Sequence, residues 1–226
     1  MAVGRQVLVA ETPSAPAPAS SPVSFEGLRH AGSNIGLAMM FFIAAFPSGG
    51  QGMHLTRLTD AIWSVGLIMM GVFCVMRPRP VAVMLDWRAI VSGLGAFVLP
   101  TLMSRANFTA SGLAYQTGVV LEFLGITLSQ VARVYMGHAF AVLPANRGIV
   151  SKGPFHFVRH PVYLGWTLLV IGFSVTYPSP WNMLMMIACM SLTFWRIHLE
   201  EELLGADPAY CDYRARVPYR MIPGVY

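Results

Sequence analysis

Charge is what this sequence has least of: Asp, Glu, Lys and Arg make up 11% of its 226 residues, against about 25% in an ordinary soluble domain. So few charges cannot cover the surface of a 24.7 kDa body in water, which argues against a soluble globule. Cysteine is scarce as well. Cys74, Cys189 and Cys211 lie far apart with no C-x-x-C pair, so neither a disulfide framework nor a zinc site is suggested. No repeat of fixed period is visible, which leaves a solenoid or an inverted-repeat transporter without support. No secretory leader is expected, because the apolar run Val7-Leu8-Val9-Ala10 is too short for an h-region and stops at Glu11.

Apolar residues are abundant, at 55%, with a mean hydropathy of +0.58. This composition excludes a disordered chain and assigns much of the surface to lipid. Residues 1–30 are expected to form a disordered cytoplasmic lead, since Pro13, Pro16, Pro18 and Pro22 alternate with Ala and Ser. The remainder, 31–226, reads as one membrane domain whose cofactor-binding part is about 137–226. Its apolar stretches, near 33–46, 60–76, 88–103, 112–136, 162–177 and 181–204, predict an all-α polytopic bundle of five to six transmembrane helices.

The net charge of +5 is a topological signal rather than a mark of nucleic-acid binding. Eleven of the 15 basic residues fall in the lead, the second and fourth connections and the tail. Two others, Arg57 and Arg105, fall in the intervening segments, while Arg133 and Arg196 lie inside helices. The asymmetry predicts both termini and the 137–161 connection on the cytoplasmic side of an integral membrane protein.

Ionisable and turn-forming residues concentrate in two places. Between Asn146 and Trp166, Gly148, Gly153 and Pro154 mark turns, and Pro161 biases His160 away from helix before starting the next one. Such backbone leaves groups free to meet a polar ligand at the membrane face; an interfacial loop pairing with phospholipids would share the composition. In the second place, Arg196-Ile197-His198-Leu199-Glu200-Glu201-Glu202, Arg196 and Glu200 share a helix face. They can pair or bracket a zwitterionic ligand. Glu122 and Arg133, 11 residues apart in the fourth apolar stretch, also share a face; structural and proton-linked roles both stay open. His156 and His160 have helical metal-pair spacing, but Pro161 opposes helix there and no third ligand is near, so no metal is expected.

The string Gly153-Pro154-Phe155, then Arg159-His160-Pro161-x-Tyr163-x-Gly165, followed by a double Glu and Tyr210-x-x-Tyr213 before Val217-Pro218, resembles the superfamily of isoprenylcysteine carboxyl methyltransferases and phospholipid methyltransferases. The likeness covers about the last 90 residues. It implies a membrane methyltransferase using S-adenosylmethionine beside the cytoplasm, with a lipidic or small hydrophobic methyl acceptor entering among membrane lipids. By position, Arg147, Gly148, Ile149 and Val150 fall on the stretch that holds the cofactor, and Phe155 on an aromatic contact that is usually Tyr. His160, Pro161, Val162 and Tyr163 fall on the next contact run, and Glu200 on its acidic contact. Arg196 falls on the arginine facing the acceptor carboxylate in the carboxyl-methylating branch.

Methyl transfer to a carboxylate needs positioning and no proton removal, so Arg196 would orient the acceptor. An amine acceptor would need a base, with Glu201 or His160 the nearest. Arg196 and Glu201 are thus the candidate catalytic residues. Phospholipid N-methylation and thiol S-methylation are alternatives within the family. The C-terminal run Arg216-Val217-Pro218-Tyr219-Arg220 is also similar to NADPH-dependent membrane sterol reductases, although their R-H-x-N-Y-type motif differs from R-H-P-x-Y-x-G. A non-enzymatic membrane scaffold is the remaining alternative.

Overall fold

The computed structural model describes residues 7–9, 32–39, 41–42, 58–76, 82–84, 86–105, 108–139, 145–146 and 148–226. Helical residues 32–39 and 41–42 form α1, followed by α2 (Leu58–Met76), α3 (Trp87–Thr101), α4 (Gly112–Met136), α5 (Pro161–Thr176), α6 (Pro180–Leu204) and α7 (Pro208–Arg216). The first six coincide with the six apolar stretches of the sequence. Their starts follow ordinary capping chemistry: Asp86 accepts from the Ala89 N–H before α3, Ser179 accepts from Asn182 before α6, and Pro161 and Pro180 occupy first-turn positions.

Two features depart from the all-α expectation. Strands β1 (Val7–Val9), β2 (Ala82–Met84) and β3 (Ala145–Asn146) make a small antiparallel sheet in the order β1-β2-β3, with Leu8 opposite Val83 and Val83 opposite Ala145. Residues 7–9 are therefore a strand rather than part of a disordered lead, their backbone paired with β2. The rest of that lead lies outside the described residues. The other addition is α7, a nine-residue helix with Asp207 as its cap and Pro208 at its first position. Its apolar side is carried by Tyr210 and Tyr213, which pack with Val217, Ile149 and Leu204.

α4 and α5 form the tightest pair and run antiparallel. A side chain at Gly125 would start 2.4 Å from the backbone nitrogen of Leu169, and one at Gly165 would start 2.5 Å from the carbonyl oxygen of Gly125. Glycine at both positions is what lets the backbones touch, and Ser129 seals the contact by donating to the Val162 carbonyl at 3.0 Å. The glycine of R-H-P-x-Y-x-G, Gly165, is thus a packing residue that sets the depth of Tyr163.

α6 closes the bundle. Buried Asn182 holds the α3–α4 connection by accepting from the Ser104 N–H at 3.0 Å and donating to the Ser104 and Tyr177 carbonyls at 2.8 and 2.7 Å. At its other end Leu199 and Leu203 pack on Ala89 and Met84, and Trp195 meets Trp87 edge to face, 5.8 Å between ring centres. α1 lies on α2 through Ala38 and Phe41 against Leu67, Met70 and Cys74.

Among the described residues, α4 is the helix long and apolar enough by length and composition to cross a membrane; Ser64–Met76 and Pro161–Thr176 are shorter apolar helices. Large apolar side chains stand exposed along several helices, including Val72 and Val75 on α2, Leu94 and Val98 on α3, Val120, Leu124 and Val134 on α4, and Leu184 and Ile187 on α6.

Candidate active site

A cavity of about 460 Å³ runs through the bundle between α4, α5 and α6. One end is bordered by Gly148, Ile149, Val150, Phe155, His160 and Val162, together with Tyr163, Arg196 and Glu200. The other end is bordered by Arg105, Met103, Phe173 and Glu122. Its size is that of a pocket for a drug-sized ligand, ~300–1,000 Å³.

The loop that supplies the first wall is shaped by its special residues. Gly148 has φ +103°, in the region where glycine alone is unstrained, with open space where a side chain would stand. Its N–H donates to Asn146 Oδ1 at 3.0 Å, while the Asn146 amide donates to Asp207 at 2.8 Å, tying the loop to the start of α7. A short 3₁₀ turn, Gly153–His156, then lowers Phe155 onto Ala132 of α4 and Val162 of α5. Tyr213 of α7 donates to the Phe155 carbonyl at 2.7 Å. Burial pushes the Tyr213 hydroxyl up to about 12, so it remains a donor at any physiological pH.

Arg159 and His160 lead into α5 as non-helical backbone clamped by the tail: their N–H groups donate to the Tyr219 and Arg220 carbonyls at 2.9 and 2.8 Å. Pro161 is buried as the first residue of α5. Tyr163, two positions on, donates its hydroxyl to Glu200 Oε1 and accepts from Arg196 Nε at 2.6 Å. Arg196 Nε also reaches Glu200 Oε1 at 3.1 Å. The four-residue spacing of Arg196 and Glu200 thus produces a pair, with Tyr163 inserted from α5 to fix both side chains.

Glu200 and Glu201 are separated by the helix geometry. Glu200 borders the cavity, whereas Glu201 is buried behind it as the centre of a cation cluster. Arg159 donates to Glu201 Oε1 through Nε at 2.8 Å, and Arg220 to Oε2 through Nε at 2.8 Å. His160 Nε2 lies 3.1 Å from Oε1, and the Tyr210 hydroxyl donates to the same oxygen at 3.4 Å. Arg159 also donates to the Val217 and Pro218 carbonyls at 2.9 and 2.6 Å, so the cluster fastens the C-terminal tail across the start of α5. The His160 ring lies between the two glutamates, its Nε2 on Glu201 and its Nδ1 4.0 Å from Glu200 Oε2, beyond hydrogen-bond reach.

Of the residues singled out in the sequence, Gly148, Ile149, Val150, Phe155, His160, Val162, Tyr163, Arg196 and Glu200 therefore border one cavity. Pro161 and Glu201 support it from behind. Arg147 lies outside the described residues. Sequence reasoning did not place Arg133, Glu122 or Trp166 on this cavity, which they also border. The signal was present for the first two, as ionisable residues on one face of an apolar helix. Glu122 is held by Thr176, whose hydroxyl donates to it at 2.6 Å. The partners of Glu201 were not legible either, because Arg159 and Arg220 reach it from distant elements.

Residues 106–206, which hold α4, α5 and α6, match the family model of the phospholipid methyltransferases. Among individual relatives, the protein-S-isoprenylcysteine O-methyltransferase of Tribolium castaneum is 29% identical over 112 residues, which is 44% of this chain and 38% of the relative. The chain thus matches less than half of that curated relative's length. A solved eukaryotic intramembrane Ras methyltransferase, an isoprenylcysteine carboxyl methyltransferase, is 21% identical with a TM-score of 0.46, covering 84% of this chain and 74% of its own.

Proposed function

We propose that this protein is an integral membrane methyltransferase that uses S-adenosylmethionine to methylate a carboxylate on a lipidic or small hydrophobic acceptor. The cofactor supplies an electrophilic methyl group on a sulfonium. The cavity suits it: it has the volume for a ligand of that size, backbone opened at Gly148, an aromatic wall at Phe155 and a carboxylate, Glu200, at its border. In this reading Gly148, Ile149 and Val150 offer backbone groups, Phe155 and Val162 give apolar cover, and His160, Tyr163 and Glu200 make the polar contacts. Pro161 holds the entry of α5, and Arg147 stays assigned to the same set by resemblance.

The observation that favours a carboxylate acceptor is the state of Glu201. Both of its oxygens are engaged by arginines, Arg159 and Arg220, and a carboxylate so held is a weak base. Glu200 in turn receives Tyr163 and Arg196. A site whose carboxylates are tied up in this way suits an acceptor that arrives already nucleophilic. Arg196, its plane fixed by Tyr163 and Glu200, orients the acceptor carboxylate and offsets its burial. Glu201 acts through its neighbours, holding Arg159, His160 and the tail in place.

The belt of exposed apolar side chains on α2, α3, α4 and α6 supports insertion in lipid, with five or six crossings and with both termini and the cavity mouth on the cytoplasmic side. Tagging of a cysteine at Ser151 solely from the outer side would overturn that orientation. The activity is tested by incubating membranes carrying the protein with methyl-labelled S-adenosylmethionine and partitioning the label. Base-labile label in the lipid fraction is expected for an ester. Base-stable lipid label would move the reading to an amine, and NADPH oxidation without methyl transfer would replace it with a reductase.

A further inference from the structure

Among the described residues, four arginines border the cavity, and three of them are accounted for. Arg159 is paired with Glu201 at 2.8 Å, Arg196 with Glu200 at 3.1 Å, and Arg105 lies at the far end over the rings of Phe173 and Tyr177, at 5.8 and 5.9 Å. The fourth is Arg133, on the last turns of α4. No carboxylate pairs with it among the described residues. Its one hydrogen bond runs from Nη1 to the side-chain oxygen of Gln130 at 3.2 Å, and its Nε is buried with no partner at all. Gln130 is itself wedged against Gly66 of α2, where no side chain would fit, so it holds one edge of the guanidinium toward α2. A buried, unengaged guanidinium N–H is costly unless something meets it.

Its surroundings say which ligand. Ala132 and Met136, the neighbours of Arg133 on α4, pack on Phe155, Val150 and Val162, the stretch assigned above to the methyl donor. Arg133 also lies within electrostatic reach of the Tyr163 hydroxyl. The amino-acid end of that donor carries one carboxylate and one ammonium. The spacing of Arg196 and Glu200 suggested that those two bracket a zwitterion, but they pair with each other. Among the described arginines on the cavity, the one without a carboxylate or ring partner to complement Glu200 is Arg133.

We infer that Arg133 binds the carboxylate of the methionine moiety of S-adenosylmethionine, opposite Glu200, and so makes this site selective for a donor that retains its amino-acid carboxylate. The inference rests on the proposed use of that cofactor and assigns a different arginine to each negative group in the reaction: Arg133 to the donor, Arg196 to the acceptor.

The test uses the full chain in detergent or nanodiscs and two probes, S-adenosylhomocysteine and its decarboxylated analogue, with affinities measured by calorimetry. The wild-type protein should prefer S-adenosylhomocysteine by roughly tenfold to hundredfold, as expected for loss of one charge-assisted contact. Arg133→Met should lose that preference, with the analogue binding within about twofold of wild type by the same reasoning. Arg133→Lys, which keeps the charge and guards against misfolding of the first variant, should fall between. Equal losses for both probes would make Arg133 structural, and unchanged affinities with a raised KM for the acceptor would move it to the other substrate; either result overturns the inference. Failure of the wild type to bind S-adenosylhomocysteine would instead remove the proposed function itself.

Discussion

Two adjacent glutamates should fail in different ways when neutralised. Glu201 meets Arg159, His160 and Arg220 and is 7% exposed, and the Arg159 side chain facing it is 5% exposed. Glu201→Gln replaces an acceptor for two guanidinium groups with an amide, whose NH₂ has to face one of those donors. Arg159 then keeps a buried charge without a counter-ion, a change that costs about 3–5 kcal/mol when one partner of a buried pair is removed. For a chain of this length that is on the order of 10 °C in melting temperature.

Glu200 has a 19% exposed side chain; it pairs with Arg196 within one helix, and His160 Nδ1 lies 4.0 Å from it. Glu200→Gln takes a counter-ion from Arg196, whose side chain is 5% exposed, but the partial exposure of Glu200 lets water replace it. It should therefore cost less than Glu201→Gln, about 1–3 kcal/mol, while weakening S-adenosylhomocysteine binding at least tenfold. Fluorescence-detected melting in detergent and calorimetric binding on the same preparations separate the two outcomes. A melting loss for Glu200→Gln equal to that of Glu201→Gln would refute the division of labour. So would abolished turnover in Glu201→Gln with an unchanged melting temperature, since the supporting role assigned to Glu201 would then be catalytic.

Other residues give narrower tests. Arg196→Lys keeps charge but loses the planar contact, so turnover with a lipid acid should drop about tenfold or more while cofactor affinity barely changes; unaltered turnover would remove Arg196 from the acceptor site. Gly165→Ala should destabilise by about 1–3 kcal/mol or more, because its methyl would meet Gly125 and Ser129 backbone at 2.5 and 2.7 Å. The same shift should displace Tyr163, so cofactor affinity falls with stability; a variant as stable as wild type would contradict the contact. The Tyr213 hydroxyl is raised by burial from an ordinary 10 to about 12, so the folded state holds this proton more tightly than the unfolded chain. Its stabilisation is complete below pH 10 and lost as pH rises to 12. Tyr213→Phe should flatten stability over that window by the share of Tyr213, while Tyr210, which burial also raises, keeps its own; an unchanged slope would argue against it.

Most of the scaffold was legible because its punctuation is local. α4 is bounded at Gly112 and Met136 as the hydropathy pattern predicts, and Ser179-Pro180 and His160-Pro161 announce α6 and α5 through capping and a missing N–H. α7 escaped because its mean hydropathy is low and its apolar side consists of two tyrosines, although Asp207-Pro208 is an ordinary helix start. The sheet escaped because each strand is two or three residues long and pairs across more than 60 positions of sequence. At the site, motif spacing brought Tyr163, Arg196 and Glu200 together, but it could not tell Glu200 from Glu201. That choice depends on Arg220, which reaches Glu201 from the tail, and no periodicity reports such a contact. Arg133 stood out as an intramembrane charge; only the engagement of Arg105, Arg159 and Arg196 gives it a task.

The central claim is that the 148–163 loop and the end of α6 enclose S-adenosylmethionine. Photocrosslinking methyl-labelled S-adenosylmethionine to the purified protein, followed by peptide mapping, tests it most directly. Label confined to peptides spanning 148–163 and 196–213, and removed by excess S-adenosylhomocysteine, is the expected result. Label on α1, α2 or α3 with these peptides clean, or crosslinking suppressed by NADPH and indifferent to S-adenosylhomocysteine, would contradict the account.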